Sequence, residues 1–237
     1  MSKALAIAGR ELRSYFASPL AYVAAAFFLL VSGYLFSLIL YNTRQASLTP
    51  LFSNLSVVFL LITPALTMRL FADERKTGTI ELLMTSPVTD RALVAGKYLA
   101  SVFYLAFLLV LTFVFPAILL LSHASLDWPT IGLGYASTFL LGASFMAIGA
   151  LASSLTSNVI LSAIITFALS LVVWLLPAAG QMFGGTANDV LTYLSVIQHQ
   201  QSMGRGVLDT SDLLFYASFI FACVFLTIRS VETYHWR

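Results

Sequence analysis

Leu70-Phe-Ala-Asp-Glu-Arg-Lys-Thr-Gly-Thr-Ile-Glu-Leu-Leu-Met-Thr-Ser-Pro-Val-Thr-Asp-Arg91 is a charged island between two long apolar runs. Charged residues make up only 9% of the 237, yet seven of them fall here: Asp73, Glu74, Arg75, Lys76, Glu81, Asp90 and Arg91. A run this polar cannot enter hydrocarbon, so it belongs at or beyond a membrane surface. Its centre, Thr79-Ile-Glu-Leu-Leu-Met84, lies between Gly78 and Pro87 and has the pattern of a short amphipathic helix. A short helix projecting from a membrane domain is a surface on which a soluble partner can push.

The rest of the composition explains why the island stands out. Hydrophobic residues make up 59% of the chain, and the mean hydropathy is +0.93. Globular domains run nearer half apolar with about a quarter charged, so the expected class is an all-α integral membrane protein. The length accommodates about six spans with short loops and leaves no room for a second soluble domain. The single cysteine, Cys223, sits in an apolar run, which excludes an intrachain disulfide and a cysteine metal cluster. Arg10 and Arg13 precede the first apolar run, which is too long for a cleaved signal's core, so it reads as a span.

Six apolar runs reach crossing length: Leu20 to Leu40, Leu51 to Leu70, Tyr98 to Leu121, Ile131 to Ser153, Val159 to Leu176, and Leu213 to Ile228. Basic residues set the orientation. Lys3, Arg10, Arg13, Arg69, Arg75, Lys76, Arg91, Lys97, Arg229 and Arg237 fall on one side, and only Arg44 and Arg205 on the other. Both termini and the island are therefore expected in the cytoplasm. Residues 1–18 read as a helix lying in the cytoplasmic interface, with Leu5, Ala8, Leu12, Tyr15 and Phe16 near one face and Ser18-Pro19 ending it. Residues 177–212 read as an outer-face connector that opens at Pro177, carries one or two short helices, and offers Thr210-Ser-Asp212 as a cap for the last span.

The spans carry no Asp, Glu, Lys, Arg or His at depth, and Arg69 lies within a turn of the boundary. Proton relays, ion-coupled carriers and voltage sensors use such groups. There is no His-Glu-x-x-His pair and no phosphate-binding Gly-rich loop with Lys-Ser/Thr. His123, His199 and His235 are far apart and read as loop or tail residues, wrongly placed to serve a serine nucleophile. The sequence therefore argues against catalysis within the chain, and no metal or cofactor is expected on it. In the fourth span Gly142, Ala143, Ser144, Ala147, Gly149, Ala150 and Ala152 read as a close-packing surface inside the bundle, with a subunit interface as the alternative. Pro64 and Pro116 interrupt the second and third spans, where neighbours must satisfy the freed carbonyls.

Phe71-Ala-Asp-Glu-Arg-Lys-Thr-Gly-Thr-Ile-Glu-Leu-Leu83, with Ser86-Pro-Val-Thr-Asp-Arg91 and Gly96-Lys97, resembles the signature of permease subunits of ABC-2 type transporters. Three further segments carry the same resemblance. Glu11-Leu-Arg-Ser-Tyr-Phe-Ala-Ser-Pro-Leu-Ala-Tyr22 is similar to the family's approach to its first span. Gly149-Ala-Leu-Ala-Ser-Ser-Leu-Thr-Ser-Asn158 is similar to its junction between the fourth and fifth spans. The stretch from His199 through Gly204-Arg-Gly-Val-Leu-Asp-Thr-Ser-Asp212 is similar to its outer segment before the sixth. Within the family, the chain most resembles the gliding-motility-associated branch, near the permease for nitrous oxide reductase maturation.

The resemblance implies one half of a transporter in a bacterial cytoplasmic membrane. It would pair with a second copy or a related permease, and a separate ATP-binding subunit would bind ATP and Mg. No nucleic-acid partner is implied. The family's coupling helix maps to about Thr77 to Thr85, within a cytoplasmic segment 72–92. Glu74, Arg75, Lys76, Thr77, Gly78, Thr79 and Glu81 are its candidate partner-coupling residues. The expected activity is ATP-driven export. The alternative is a non-transporting scaffold that passes ATPase motion to a periplasmic accessory protein or a motility machine.

Overall fold

The computed structural model describes residues 3–43, 47–78, 89–122 and 126–233, and among them every regular element is a helix. In chain order these are α1 (Lys3–Ala17), α2 (Pro19–Thr43), α3 (Thr49–Thr67), α4 (Ala72–Thr77), α5 (Asp90–Leu111) and α6 (Val114–Leu121). They continue as α7 (Trp128–Leu155), α8 (Val159–Phe183), α9 (Gly185–Tyr193), α10 (Val196–Gly204) and α11 (Thr210–Glu232). Six segments among the described residues are long and apolar enough to cross a membrane: α2, α3 with α4, α5 with α6, α7, α8 and α11. The six expected spans are all present, and the protein is an all-α integral membrane protein.

The starts of these helices are written locally. Pro19 begins α2, and Pro50 and Pro129 stand in the first turns of α3 and α7, where the missing N–H costs nothing. Thr89 Oγ1 accepts from Ala92 N at 3.3 Å, and Asn158 Oδ1 accepts from the Ile160 and Leu161 amides. The cap of α11 is Asp209, which accepts from Ser211 N at 3.0 Å; that bond holds its carboxyl below the usual range. This corrects the cap expected from Thr210-Ser-Asp212, because Asp212 is turned inward and occupied elsewhere.

Helix α7 is the axis of the bundle, packing against α3, α5, α8, α10 and α11. Its glycines set how close the neighbours come. A Cβ at Gly134 would collide with the Phe52 ring, and fifteen positions later on both helices one at Gly149 would collide with Thr67. The equal spacing means that α3 and α7 run parallel at close approach. Gly142 meets Leu105 of α5 in the same way, 2.8 Å from where its Cβ would sit. The small-residue surface of the fourth span is thus used for packing within the chain.

Three differences from the sequence reading concern boundaries. Helix α5 begins at Asp90, eight residues before the apolar run, so Lys97 lies inside a helix. The third span breaks at Thr112-Phe113, and Pro116 removes the amide that would bond the Thr112 carbonyl. The Thr112 carbonyl accepts instead from the Phe115 amide and from Tyr135 Oη, each at 3.0 Å. Finally, α8 continues through Pro177 to Phe183 and stops at Gly184, whose φ of 65° suits a residue without Cβ. The connector between α8 and α11 therefore begins seven residues later than Pro177 suggests, and it holds two short helices, α9 and α10.

Candidate coupling site at the charged end

Helices α1, α3, α4, α5, α7 and α11 meet where the charged island leaves the bundle. Past α3 the chain turns through residues 68–71, and the Ser153 hydroxyl of α7 secures that turn. Its Oγ accepts from the Phe71 and Ala72 amides at 3.0 and 3.1 Å and donates to the Met68 carbonyl at 3.2 Å. One side chain thereby satisfies the backbone at the start of α4, where helical partners are absent. The Phe71 ring is fully buried beneath it.

Helix α4 then sends Glu74 inward. Glu74 Oε1 lies 2.8 Å from Lys97 Nζ, and Lys97 Nζ also lies 3.3 Å from Glu11 Oε1 of α1. The Lys97 side chain is 2% exposed, and its ammonium sits 5.4 Å from the centre of the Phe71 ring. Arg10 reaches the same Glu11 oxygen at 3.0 Å, so two cations and two anions alternate. An ammonium this buried is tolerated because it is paired on two sides. Arg75 donates to the Ser230 carbonyl at the end of α11 at 3.3 Å, and Ser230 Oγ donates to Ser154 O. Tyr15 Oη donates to Leu66 O at 2.9 Å; burial, then the Glu11 charge, pushes its phenol up and keeps it a donor. A cleft of about 790 Å³ opens beside these groups, with Arg10, Arg69 and Asp73 at its polar wall and Leu20, Ala21 and Leu66 at its apolar one.

The expected site residues divide on this geometry. Glu74 and Arg75 are clamped into the bundle, whereas Lys76 and Thr77 are exposed. Thr77 closes α4 rather than opening a helix, and Gly78 follows in the left-handed region at φ 70°. Thr79 and Glu81, and with them most of the expected coupling helix, lie outside the described residues. Sequence reading missed Lys97, Glu11 and Ser153 as members of the site. Lys97 counted as a boundary cation and as part of the family signature, not as a buried hub, and Glu11 is 86 positions away.

The opposite end holds a second buried polar cluster that sequence reading also missed. His199 is buried in α10, not in a loop, with Nδ1 2.6 Å from Asp212 Oδ1 and Nε2 2.8 Å from the Tyr193 carbonyl. A carbonyl only accepts, so Nε2 donates, and a second proton lies between Nδ1 and the Asp212 carboxyl. Phe215 stacks on the imidazole at 4.0 Å. Ser195 caps α10, and Gln198 three residues on completes a capping-box pattern that would have identified the helix from sequence. His123 and His235 lie outside the described residues.

Six apolar crossing segments around a small-residue axis, with a polar clamp at one end, define a multi-pass membrane protein. A family model described as "ABC-2 family transporter protein" matches residues 5–228. The chain belongs to that family and is a membrane permease component of an ABC transporter. No curated protein matches it.

Proposed function

We propose that this permease is energised by a separate ATP-binding subunit that docks on the 72–92 segment, and that it works as an exporter. The observation carrying this reading is the clamp around α4. A force applied between Gly78 and Thr89 meets α4 on one side and α5 on the other. These helices share the Glu74–Lys97 pair, and Lys97 extends the link to Glu11 of α1. Arg75 and Ser153 tie the same point to α11 and α7. Displacement of the segment is thereby distributed to the bundle instead of being absorbed by a loose loop. Both termini and the charged end lie in the cytoplasm on this reading, since ten of the twelve basic residues fall on that side. Residues 3–17 form its interfacial helix and residues 184–209 its outer-face connector.

The chain has no phosphate-binding loop of its own, which supports placing ATP and Mg on the partner. A second permease copy or a related permease completes the assembly. The test is purification from native membranes. We expect an ATP-binding subunit to accompany the chain and nucleotide hydrolysis to disappear when that subunit is stripped away. Robust hydrolysis by the isolated chain would overturn the proposal. Stimulation of the complex by a cargo in vesicles supports export, and cargo-independent turnover supports the scaffold reading.

A further inference from the structure

The cleft of about 790 Å³ at the charged end has two chemically distinct walls. Leu20 and Ala21, in the first turn of α2, make the apolar one with Ala65 and Leu66, in the last turn of α3. Both helices belong to crossing segments, and one begins and the other ends at these turns, so this wall lies at the edge of the hydrocarbon. The polar wall comes from α1, from the turn into α4, from α4 itself and from Lys97 of α5. Among the described residues it carries Arg10, Arg69 and Lys97 together with Glu11, Asp73 and Glu74, three charges of each sign.

These charges are not equally engaged. Lys97 is buried, and the carboxylates of Glu11 and Glu74 are turned onto it. Arg10 and Arg69 keep 56% and 57% of their side-chain surface, and Asp73 keeps 47%. Arg69 Nε lies 3.8 Å from Asp73 Oδ2, well beyond the length of about 2.7–2.9 Å of a charge-assisted hydrogen bond. Arg10 donates to Glu11 Oε1 from one of its nitrogens, and a guanidinium has five N–H donors. The cleft therefore presents two guanidinium groups with donors to spare and one accessible carboxylate beside them.

We propose that the cleft holds one phospholipid of the adjoining leaflet, with a zwitterionic head that bears a phosphate and a primary ammonium. The phosphate sits against Arg10 and Arg69, whose planar forks match phosphate oxygens, and the ammonium sits against Asp73. Arg69 and Asp73 are close enough for one short head group to reach both. The acyl chains run past Leu20 and Leu66 into the bilayer. The volume lies within the range of small-molecule sites, and a soluble phosphate ester would leave the apolar wall uncovered. A purely anionic head would satisfy the guanidinium groups but set a like charge beside Asp73. Bound in this way, the lipid joins α1 to the turn before α4, reinforcing the link that Lys97 makes through Glu11 and Glu74. The clamp thereby becomes sensitive to the composition of the membrane. This assignment rests on the permease reading only for which leaflet supplies the lipid, the cytoplasmic one.

The test titrates phosphatidylethanolamine, phosphatidylcholine and phosphatidylglycerol of identical acyl chains into the delipidated full chain in a nonionic detergent. Native mass spectrometry reads the bound fraction. We expect phosphatidylethanolamine to bind about tenfold more tightly than phosphatidylcholine, because a trimethylated amine donates no hydrogen bond to Asp73 and one charge-assisted bond is worth about that factor. Phosphatidylglycerol, which has no cation, should bind no better than phosphatidylcholine. Asp73→Asn should erase the preference for the primary amine, and Arg69→Gln should weaken all three lipids. The unfolding midpoint of each variant without lipid verifies its fold, and the comparison of lipids on the parent chain needs no variant. Equal binding of the three lipids to the parent overturns the proposal, as does a preference that survives Asp73→Asn. Tighter binding of phosphatidylglycerol contradicts the zwitterionic head. Glycerophosphoethanolamine, the same head without chains, should not compete at the concentration that saturates the lipid; equal competition means that the cleft takes a soluble ester and no lipid. No ATP-binding subunit enters the titration, so its failure leaves the docking proposal standing, and a failure to recover that subunit from native membranes leaves lipid binding standing.

Discussion

Lys97 Nζ lies 2.8 Å from Glu74 Oε1, joining α4 and α5, the helices that flank residues 79–88 in the chain. Lys97 is the hub, since removing it leaves Glu11 and Glu74 facing one another across a buried site. Breaking a buried pair by deleting one partner costs about 3–5 kcal/mol. Lys97→Met is therefore expected to lower the thermal unfolding midpoint of the solubilised protein strongly. Adding Glu74→Gln to it recovers part of the loss, because the remaining Glu11 keeps Arg10. No recovery in the double variant would contradict the shared-hub geometry.

Gly149 and Gly132 lie on the same helix and predict opposite outcomes. A Cβ at Gly149 collides with Thr67, whereas one at Gly132 meets nothing within 4 Å among the described residues. Gly149→Ala is expected to destabilise by about 1–3 kcal/mol through overpacking. Gly132→Ala should be neutral or stabilise by up to about 1 kcal/mol, through helix propensity. Thermal melts of the two variants in one detergent check both signs.

The spans were legible because uninterrupted apolar runs need no partner to be read, and basic residues at their ends mark the boundaries. Pro177 misled because its ring only breaks one bond and kinks a helix that hydrocarbon otherwise forces to stay helical; α8 ends instead where Gly184 takes up a left-handed φ. Lys97 was read as a boundary charge because its burial is created by α1 and α4, far from it in sequence. Ser153 was read as the end of the fourth span, and only the turn after α3 shows what its hydroxyl serves.

His199 and Asp212 predict the behaviour of the connector at the far end. Asp212→Ala leaves the imidazole without its partner and frees α10 from α11, at a cost of about 1–3 kcal/mol. Limited proteolysis should then cut within residues 184–209 sooner than in the parent chain, while the spans remain protected. Unchanged cleavage would mean that the Gln200 bond to the Phe52 carbonyl and the Tyr216 bond to the Val196 carbonyl hold the connector unaided.

Sidedness is checked by impermeant thiol labelling of intact cells. Cysteines at Lys76 and near the C-terminus should be shielded, and cysteines at Gly185 or Arg205 should react. Labelling at Lys76 from outside would overturn the assigned orientation.

The coupling claim is tested most directly by a photo-crosslinking side chain at Glu81, with the same group at Asp127 as a control on the opposite side. Irradiation of native membranes is expected to join position 81, and not position 127, to an ATP-binding subunit. Glu81→Lys should weaken that association, because a wrong-signed charge at an interface costs more than one on a solvated loop, while insertion in the membrane stays normal. If position 81 captures no ATP-binding subunit, and Glu81→Lys leaves assembly and ATP hydrolysis intact in a folded protein, the 72–92 segment is a solvated connector and the coupling assignment is wrong.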